Sequence, residues 1–291
     1  MFYQEQQPMG LPTPKHKNLI YDVGLHKGED TDFYLAKGFN VIAFEANADN
    51  VAFCRQRFAQ ALDEGRLTIV EGAIAEPSGG AEQKVKFYHN TDHSFWGSSN
   101  EAFAHRSEVW GTNHKVIEVA ALDFGQCVAQ YGVPYYLKAD IVGSETICLR
   151  ALEAFANKPD YLSLRSEKVS FHKLEEEFNL LERLGYNSFQ AVQQCVENLQ
   201  STPDSPEGKP ISYTLQKSGS GFFGKDLPDE WKTRAEVIKE YRRIFVLYWL
   251  FGDYSYLMQT DKGRLFTSRL ERIARRPLPG WYDTHAKYTP Q

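Results

Sequence analysis

Asp22, Gly24, His26, Gly28, Asp30 and Thr31 crowd the stretch Tyr21-Asp-Val-Gly-Leu-His-Lys-Gly-Glu-Asp-Thr31, directly after a short apolar run. Glycines between a strand and a helix let the backbone come close to a small molecule. Two phosphate-binding patterns fail here. A P-loop needs G-x-x-x-x-G-K-[ST], but Gly24 and Gly28 are one residue too close and no Lys-Ser/Thr follows. A dinucleotide turn needs G-x-G-x-x-G, but His26 stands two after Gly24 and the third glycine is missing. The loop also carries Asp22, Glu29 and Asp30, carboxylates that a diphosphate avoids.

A ligand without phosphate and with positive charge suits these residues better. S-adenosylmethionine carries a sulfonium, an ammonium and a carboxylate. An acid at the strand end can face its cationic groups, and an acid ending the next strand can bind its ribose hydroxyls. Glu45 sits at that second place, 23 residues after Asp22. NAD enzymes share such an acid, so Glu45 discriminates only together with the loop. The pair favours the methyl donor over a dinucleotide. A plain strand–turn–helix whose glycines serve backbone shape alone is the competing reading.

The elements that must position these residues alternate. Strands are expected at 18–23 (NLIYDV), 40–45 (NVIAFE), 66–74, 134–141 (PYYLKADI) and 160–167 (DYLSLRSE), with helices between them. The strands are apolar nearly throughout, as when both faces of a parallel sheet are covered. This pattern predicts an α/β, doubly wound Rossmann-like sheet with helices on both faces. Ligands in such sheets lie beyond the C-terminal strand ends. The loops at 22–31, 45–47, 71–74, 140–145 and 165–170 should therefore line one cleft. VKFYHN and KVIEVAAL read as strands flanking a long irregular segment rich in aromatics, and loops of that length are usually functional. Residues 1–17 read as an N-terminal arm, 18–228 as the ligand-binding domain and 229–291 as a C-terminal helical extension.

Bulk properties narrow the function classes. Of 291 residues, 42% are apolar, enough for a full core. The 33 basic and 38 acidic residues sum to −5, which gives no general case for nucleic-acid binding. Cys54, Cys127, Cys148 and Cys195 are scattered and read as reduced, mostly buried thiols of a cytoplasmic protein. The N-terminus lacks an apolar signal-like core. The longest apolar run, Ile244–Phe251, is far short of the about 20 residues a bilayer requires, so it is expected as a buried part of a helix and no transmembrane segment is expected. Assembly into a homo-oligomer stays open.

YDVGLHKGEDTDFYLAKGFNVIAFEAN resembles the opening of FkbM-type methyltransferases, which use S-adenosylmethionine. The likeness continues through HSFWGSS, ALDFGQ, YYLKADIVGSE, YLSLRSEK and SGFFGKDLPDEW, over about residues 18–235. The resemblance implies methylation of hydroxyl groups, often on sugars, glycolipids or polyketide products. It implies donor contacts from Asp22, Gly24, His26, Gly28, Asp30 and Thr31, ribose contacts from Glu45, Ala46 and Asn47, and adenine contacts from Glu71, Gly72 and Ala73. Asp140 matches the aspartate beside the transferring methyl, with Lys138 two residues before it. GWYDTHA near the C-terminus also looks like sequences of this family, with no role assigned. Two departures stand out. The family commonly has Asp-Ile-Glu-Gly where this chain has Asp140-Ile141-Val142-Gly143, and an acid where this chain has Arg165. A salt bridge from Arg165 to Asp140 or Glu167 is the expected substitute.

Methyl transfer to an alcohol needs alignment of acceptor oxygen, methyl and sulfur, and late removal of a proton. Asp140 is the first candidate for base or acceptor orienter, against a purely structural aspartate. Lys138 is placed with it, and His93 and His26 are alternative bases. Trp96, in the loop with His93, could stack on a sugar face or anchor the loop in the core. Ser98, Arg165 and Glu167 complete the expected acceptor side. Asp140 and Glu167 would suit Mg²⁺ or Ca²⁺, but the acids missing at Val142 and Arg165 argue against a metal. The basic amphipathic run KGRLFTSRLERIARR is expected as a solvated helix face, with an anionic membrane or acidic acceptor as the competing reading. The expected function is therefore an S-adenosylmethionine-dependent O-methyltransferase acting on a small-molecule or glycan hydroxyl. The alternative is a methyltransferase-like binding module that has lost turnover.

Overall fold

Alternation along each central strand divides the apolar residues between two cores, because the sheet is covered on both faces. The computed structural model describes residues 10–76, 83–92, 97–108, 112–194, 200–216, 219–227, 230–252, 255–274 and 277–290. The elements run β1 (Lys15–Val23), α1 (Glu29–Ala36), β2 (Asn40–Glu45), α2 (Ala48–Arg57), α3 (Ala59–Asp63), β3 (Leu67–Glu71) and β4 (Ala73–Ile74). They continue with β5 (Lys84–Asn90), α4 (Glu101–Glu108), β6 (His114–Leu122), α5 (Phe124–Tyr131), β7 (Val133–Ala139), α6 (Glu145–Leu152), β8 (Tyr161–Arg165) and α7 (Phe171–Arg183). The last are β9 (Tyr186–Gln193), β10 (Gln200–Ser201), β11 (Tyr213–Thr214), α8 (Arg234–Phe251), α9 (Asp261–Ala274) and β12 (Tyr282–Tyr288).

The main sheet has seven strands in the order β3-β2-β1-β7-β8-β12-β9. β12 runs antiparallel to both its neighbours. Leu19, Tyr21 and Val23 of β1 enter the core shared with α5 to α8, whereas Ile20 enters the core shared with α1 and α2. Ile42 and Phe44 of β2 divide from Val41 and Ala43 in the same way. The doubly wound sheet is thus as expected.

Three features differ from the sequence-based expectation. The C-terminal extension is helical only over α8 and α9. Its end, β12, is threaded between β8 and β9 and is part of the central sheet, so 229–291 does not form a separate helical unit. VKFYHN and KVIEVAAL do become β5 and β6, but they pair with each other and with β4 in a separate three-stranded sheet. The segment between them holds α4. Finally, the Ile244–Phe251 run is only partly buried: Ile244 is 4% exposed, but Val246 is 54% and Trp249 76%.

Residues 200–216 and 219–227 contain little regular structure but are anchored over α1. Phe223 is fully buried, stacks on Tyr136 at 4.7 Å and packs edge-on against Phe33, Tyr34 and Phe39. Each such pair adds about 0.5–1.5 kcal/mol beyond area burial. Cys54, Cys127 and Cys148 are free and buried, as expected; Cys195 lies outside the described residues.

Candidate functional site

The chain winds outward from β1 through β2 to β3, then returns to β1's other edge as β7. The strand order reverses between β1 and β7, which opens a crevice at their C-terminal ends. A cavity of about 500 Å³ lies there. Gly24 to His26, Glu29 and Asp30 form one side, Glu45 to Asn47 and Gly72 to Ile74 the second, and Asp140, Ile141 and Arg165 the third. Phe87, Gly97 and Ser99 reach it from the small sheet and its loop, and Gln194 and Trp281 from the far edge of the main sheet.

Gly24 has φ 98°, and a side chain there would collide with the Asp140 carbonyl, so the β1 and β7 ends approach at backbone distance. Glu45 is 8% exposed and oriented by two backbone amides: His26 N–H donates to Oε2 at 2.7 Å and Asn47 N–H to Oε1 at 2.8 Å. Burial raises its pKa, against the pull of those amides. Asn50 adds a side-chain hydrogen bond, and a carboxylate with about four acceptor positions still has capacity for a further hydroxyl donor. Asn47 caps α2 through Asp49 N–H and faces His89 through its amide nitrogen. Glu29 is drawn below its ordinary value: burial opposes this, but the hydrogen bond from His26 prevails.

Asp22 does not face the cavity. It shares β1's inward parity with Ile20, toward α1, and is 0% exposed. It stands in register with Lys138 on β7. Lys138 Nζ lies 3.0 Å from Asp22 Oδ1 and 3.0 Å from Asp30 Oδ2, and Thr31 Oγ1 donates to Asp22 Oδ2 at 2.7 Å. Asp30 also accepts Ser220 N–H at 2.7 Å. Burial alone would lower the Lys138 ammonium, but Asp22 and Asp30, with Asp140 beyond, hold it well above the usual lysine value. Lys138, expected beside Asp140 in the catalytic set, is thus held beneath the loop between Asp22 and Asp30. Asp22 and Thr31 fasten the loop from beneath and do not line the cavity. Gly28 plays a similar part, since a side chain at its φ of 82° would strike the Phe58 ring.

At the ends of β7 and β8, Arg165 Nη1 donates to Asp140 Oδ1 at 3.3 Å, and its guanidinium lies 3.7 Å from the Trp281 ring centroid. The expected pairing of Arg165 with Asp140 therefore forms. The one with Glu167 does not: Glu167 Oε1 turns back to the Val169 and Ser170 amides and lines a second cavity of about 540 Å³. Val142 lines that second cavity too, at φ 28°, a strained conformation for a β-branched residue. Glu71 is likewise displaced outward; it pairs with Arg55 on the surface at 3.2 Å. Ser98 is 1% exposed and spends its hydroxyl on the Val142 carbonyl, leaving Ser99 at the cavity. His93 and Trp96 lie outside the described residues.

Sequence reasoning missed the contribution of the C-terminal strand. Trp281 precedes β12, and Asp283 stands in register with Arg165. Asp283 is 2% exposed; Oδ2 accepts from Gln194 at 2.5 Å, and Oδ1 has no hydrogen-bond partner among the described residues. Burial and the nearby Asp140 charge push its carboxyl well above the usual range. GWYDTHA was visible as a motif, but nothing local tied it to Arg165. Among the described residues no cluster of His, Cys, Asp and Glu is arranged to hold a metal.

No family model matches the chain. A 57-residue stretch is 42% identical to a protein of Haloquadratum walsbyi described as "Probable ribosomal RNA small subunit methyltransferase A"; the match covers 20% of this chain and 19% of that protein. The chain thus spans about a fifth of the curated relative's length. Precorrin-6y C5,15-methyltransferase from Geobacter metallireducens aligns at TM-score 0.34 and 12% identity, over 71% of this chain and 76% of that one. Phosphoethanolamine N-methyltransferase 2 of Haemonchus contortus, solved with S-adenosylmethionine, aligns at TM-score 0.36 and 11% identity, over 96% of this chain and 50% of that one. The fold assignment rests on the strand order itself.

Proposed function

We propose that this chain is an S-adenosylmethionine-dependent methyltransferase of the FkbM type that methylates a hydroxyl of a sugar, glycan or secondary metabolite. One observation carries the reading. The crevice cavity is lined by four carboxylates, Glu29, Asp30, Glu45 and Asp140, against two permanent cations, Lys138 and Arg165. An excess of negative charge at the start of α1 opposes a diphosphate and favours a cationic ligand. Glu45 would take the ribose hydroxyls, the Gly24–Leu25 backbone would lie along the donor, and Phe44, Ala73 and Ile74 would flank the adenine. When bound, the donor supplies an electrophilic methyl on sulfur.

Asp140 is the group that orients the acceptor. Arg165 fixes its Oδ1, and Oδ2 accepts no hydrogen bond among the described residues. That oxygen would take the hydroxyl proton as the new carbon–oxygen bond forms, the methyl–sulfur bond breaking and S-adenosylhomocysteine leaving. The Arg165–Trp281 stack holds the guanidinium in place and would set the acceptor boundary. A second reading, a donor-binding module without turnover, draws on the same ion pair, because Arg165 occupies the base candidate and Val142 replaces a usual acid.

Calorimetry with S-adenosylmethionine and, separately, NAD tests the cofactor. Tight NAD binding with no methyl-donor binding sinks the proposal. Incubation with labelled donor and a glycan panel, following S-adenosylhomocysteine, tests turnover. Donor binding with no conversion across the panel selects the module instead.

A further inference from the structure

We propose that the outer faces of α8 and α9 form a docking surface for an anionic lipid bilayer. Seven of the eleven exposed large apolar side chains among the described residues fall between 246 and 273. Scattered exposed apolar residues are ordinary, whereas a cluster marks a contact surface. On α8, Val246, Trp249 and Leu250 share the solvent side with Lys239, Arg242 and Arg243, at spacings of three, four and seven residues. Trp249 is 76% exposed there. Tyr256, in the turn that follows, is 82% exposed. On α9, Phe266 and Ile273 lie one helical face apart from the buried Gly263 and Thr267, with Arg269 and Arg272 beside them. Gly263 leaves no room for a side chain against the Leu257 carbonyl, so the first turn of α9 packs closely on the turn that precedes it, while Phe266 and Ile273 stay exposed.

Charge selects the occupant. Residues 239–276 hold nine Lys and Arg against four Asp and Glu, so they carry +5 on a chain of −5, and the other residues carry −10. A second copy of this chain docking two-fold on the same face would set +5 against +5. A nucleic acid would use the cations, but Val246, Leu250 and Ile273 have no ring to stack on bases. Lipid uses both features: aliphatic groups leave water, Trp and Tyr suit the headgroup boundary, and Lys and Arg meet anionic headgroups. No described helix is long and apolar enough to cross a membrane, so the contact is at the surface. The inference is independent of methyl transfer.

The test is co-sedimentation of the full chain with vesicles of phosphatidylglycerol in phosphatidylcholine, compared with phosphatidylcholine alone. Binding is expected only to the anionic vesicles and should fall steeply with salt. The triple variant Arg243→Glu/Arg269→Glu/Arg272→Glu should weaken binding by about fivefold or more per cation. Trp249→Ser/Phe266→Ser should weaken it at unchanged charge, with circular dichroism unaltered in both variants. Failure to sediment overturns the proposal. So does equal binding to both vesicle types, a dimer by light scattering that Trp249→Ser/Phe266→Ser dissolves, or tight binding of a short RNA with no vesicle binding.

Discussion

Replacing Lys138 with Met tests the reading of the crevice floor. The ammonium stands 3.0 Å from each of two carboxylates whose side chains, like its own, are at most 6% exposed. At an effective dielectric of about 20 each contact is worth about 5 kcal/mol before desolvation. Taking the ammonium from water costs several kcal/mol, so the net loss on removing one partner of a buried set falls near the upper part of about 3–5 kcal/mol. The loss must also depend on pH. Asp22 is already raised by burial, and without Lys138 its folded pKa rises further above its unfolded value. A carboxyl raised in the fold destabilises increasingly as pH climbs from the unfolded toward the folded pKa. Lys138→Met should therefore lose about 3–5 kcal/mol at pH 8 and about half of that or less at pH 5, relative to wild type at each pH. Urea unfolding followed by fluorescence of the five tryptophans measures both. Asp22→Asn/Lys138→Met should recover part of the stability, since one pair is neutralised together while Asp30 still lacks its cation. A loss under about 1 kcal/mol at pH 8, or an equal loss at both pH values, would refute the ion-triad reasoning.

Three further outcomes follow from the same geometry. Glu45→Gln keeps an acceptor for one amide but loses the charge, and calorimetry should show S-adenosylmethionine binding weakened by about 10- to 100-fold. Gly24→Ala places a methyl against the Asp140 carbonyl at φ 98°, so donor binding should be lost and the melting temperature should drop. Glu145, 6% exposed, is raised by burial to about 7, with Arg165 and the Gly143 amide opposing. Its penalty is absent below about pH 4.5 and complete above about pH 7, which by linkage is worth about 3 kcal/mol. Glu145→Gln should thus raise the melting temperature at pH 8 and leave it nearly unchanged at pH 4.5.

Contiguous residues made the ligand loop readable. Gly24 to Thr31 sit beside one another, so their types and spacing alone argue against a diphosphate. Period and apolarity placed β1, β2, β7 and β8, and Glu45 follows from β2's end because a strand's last residue must emerge at the crevice. Direction across the strand was harder. Asp22 was expected at the ligand, yet it points to α1, because its neighbour is settled by the β1–β7 register and not by the loop. The Lys138 charge that neutralises it comes from 116 residues away. Glu71 and Glu167 show the same limit: Glu71 ends β3 and Glu167 lies just beyond β8, but surface pairing or a local turn takes each side chain elsewhere. β12 is the largest case. Tyr-Asp-Thr-His-Ala-Lys-Tyr has no apolar pattern that marks a central strand. It is buried because β8 and β9 satisfy its backbone on both edges, and that slot exists only once the rest of the sheet has formed. Local chemistry thus proposes the ligand, whereas pairing between remote strands brings Arg165, Trp281 and Asp283 together around Asp140.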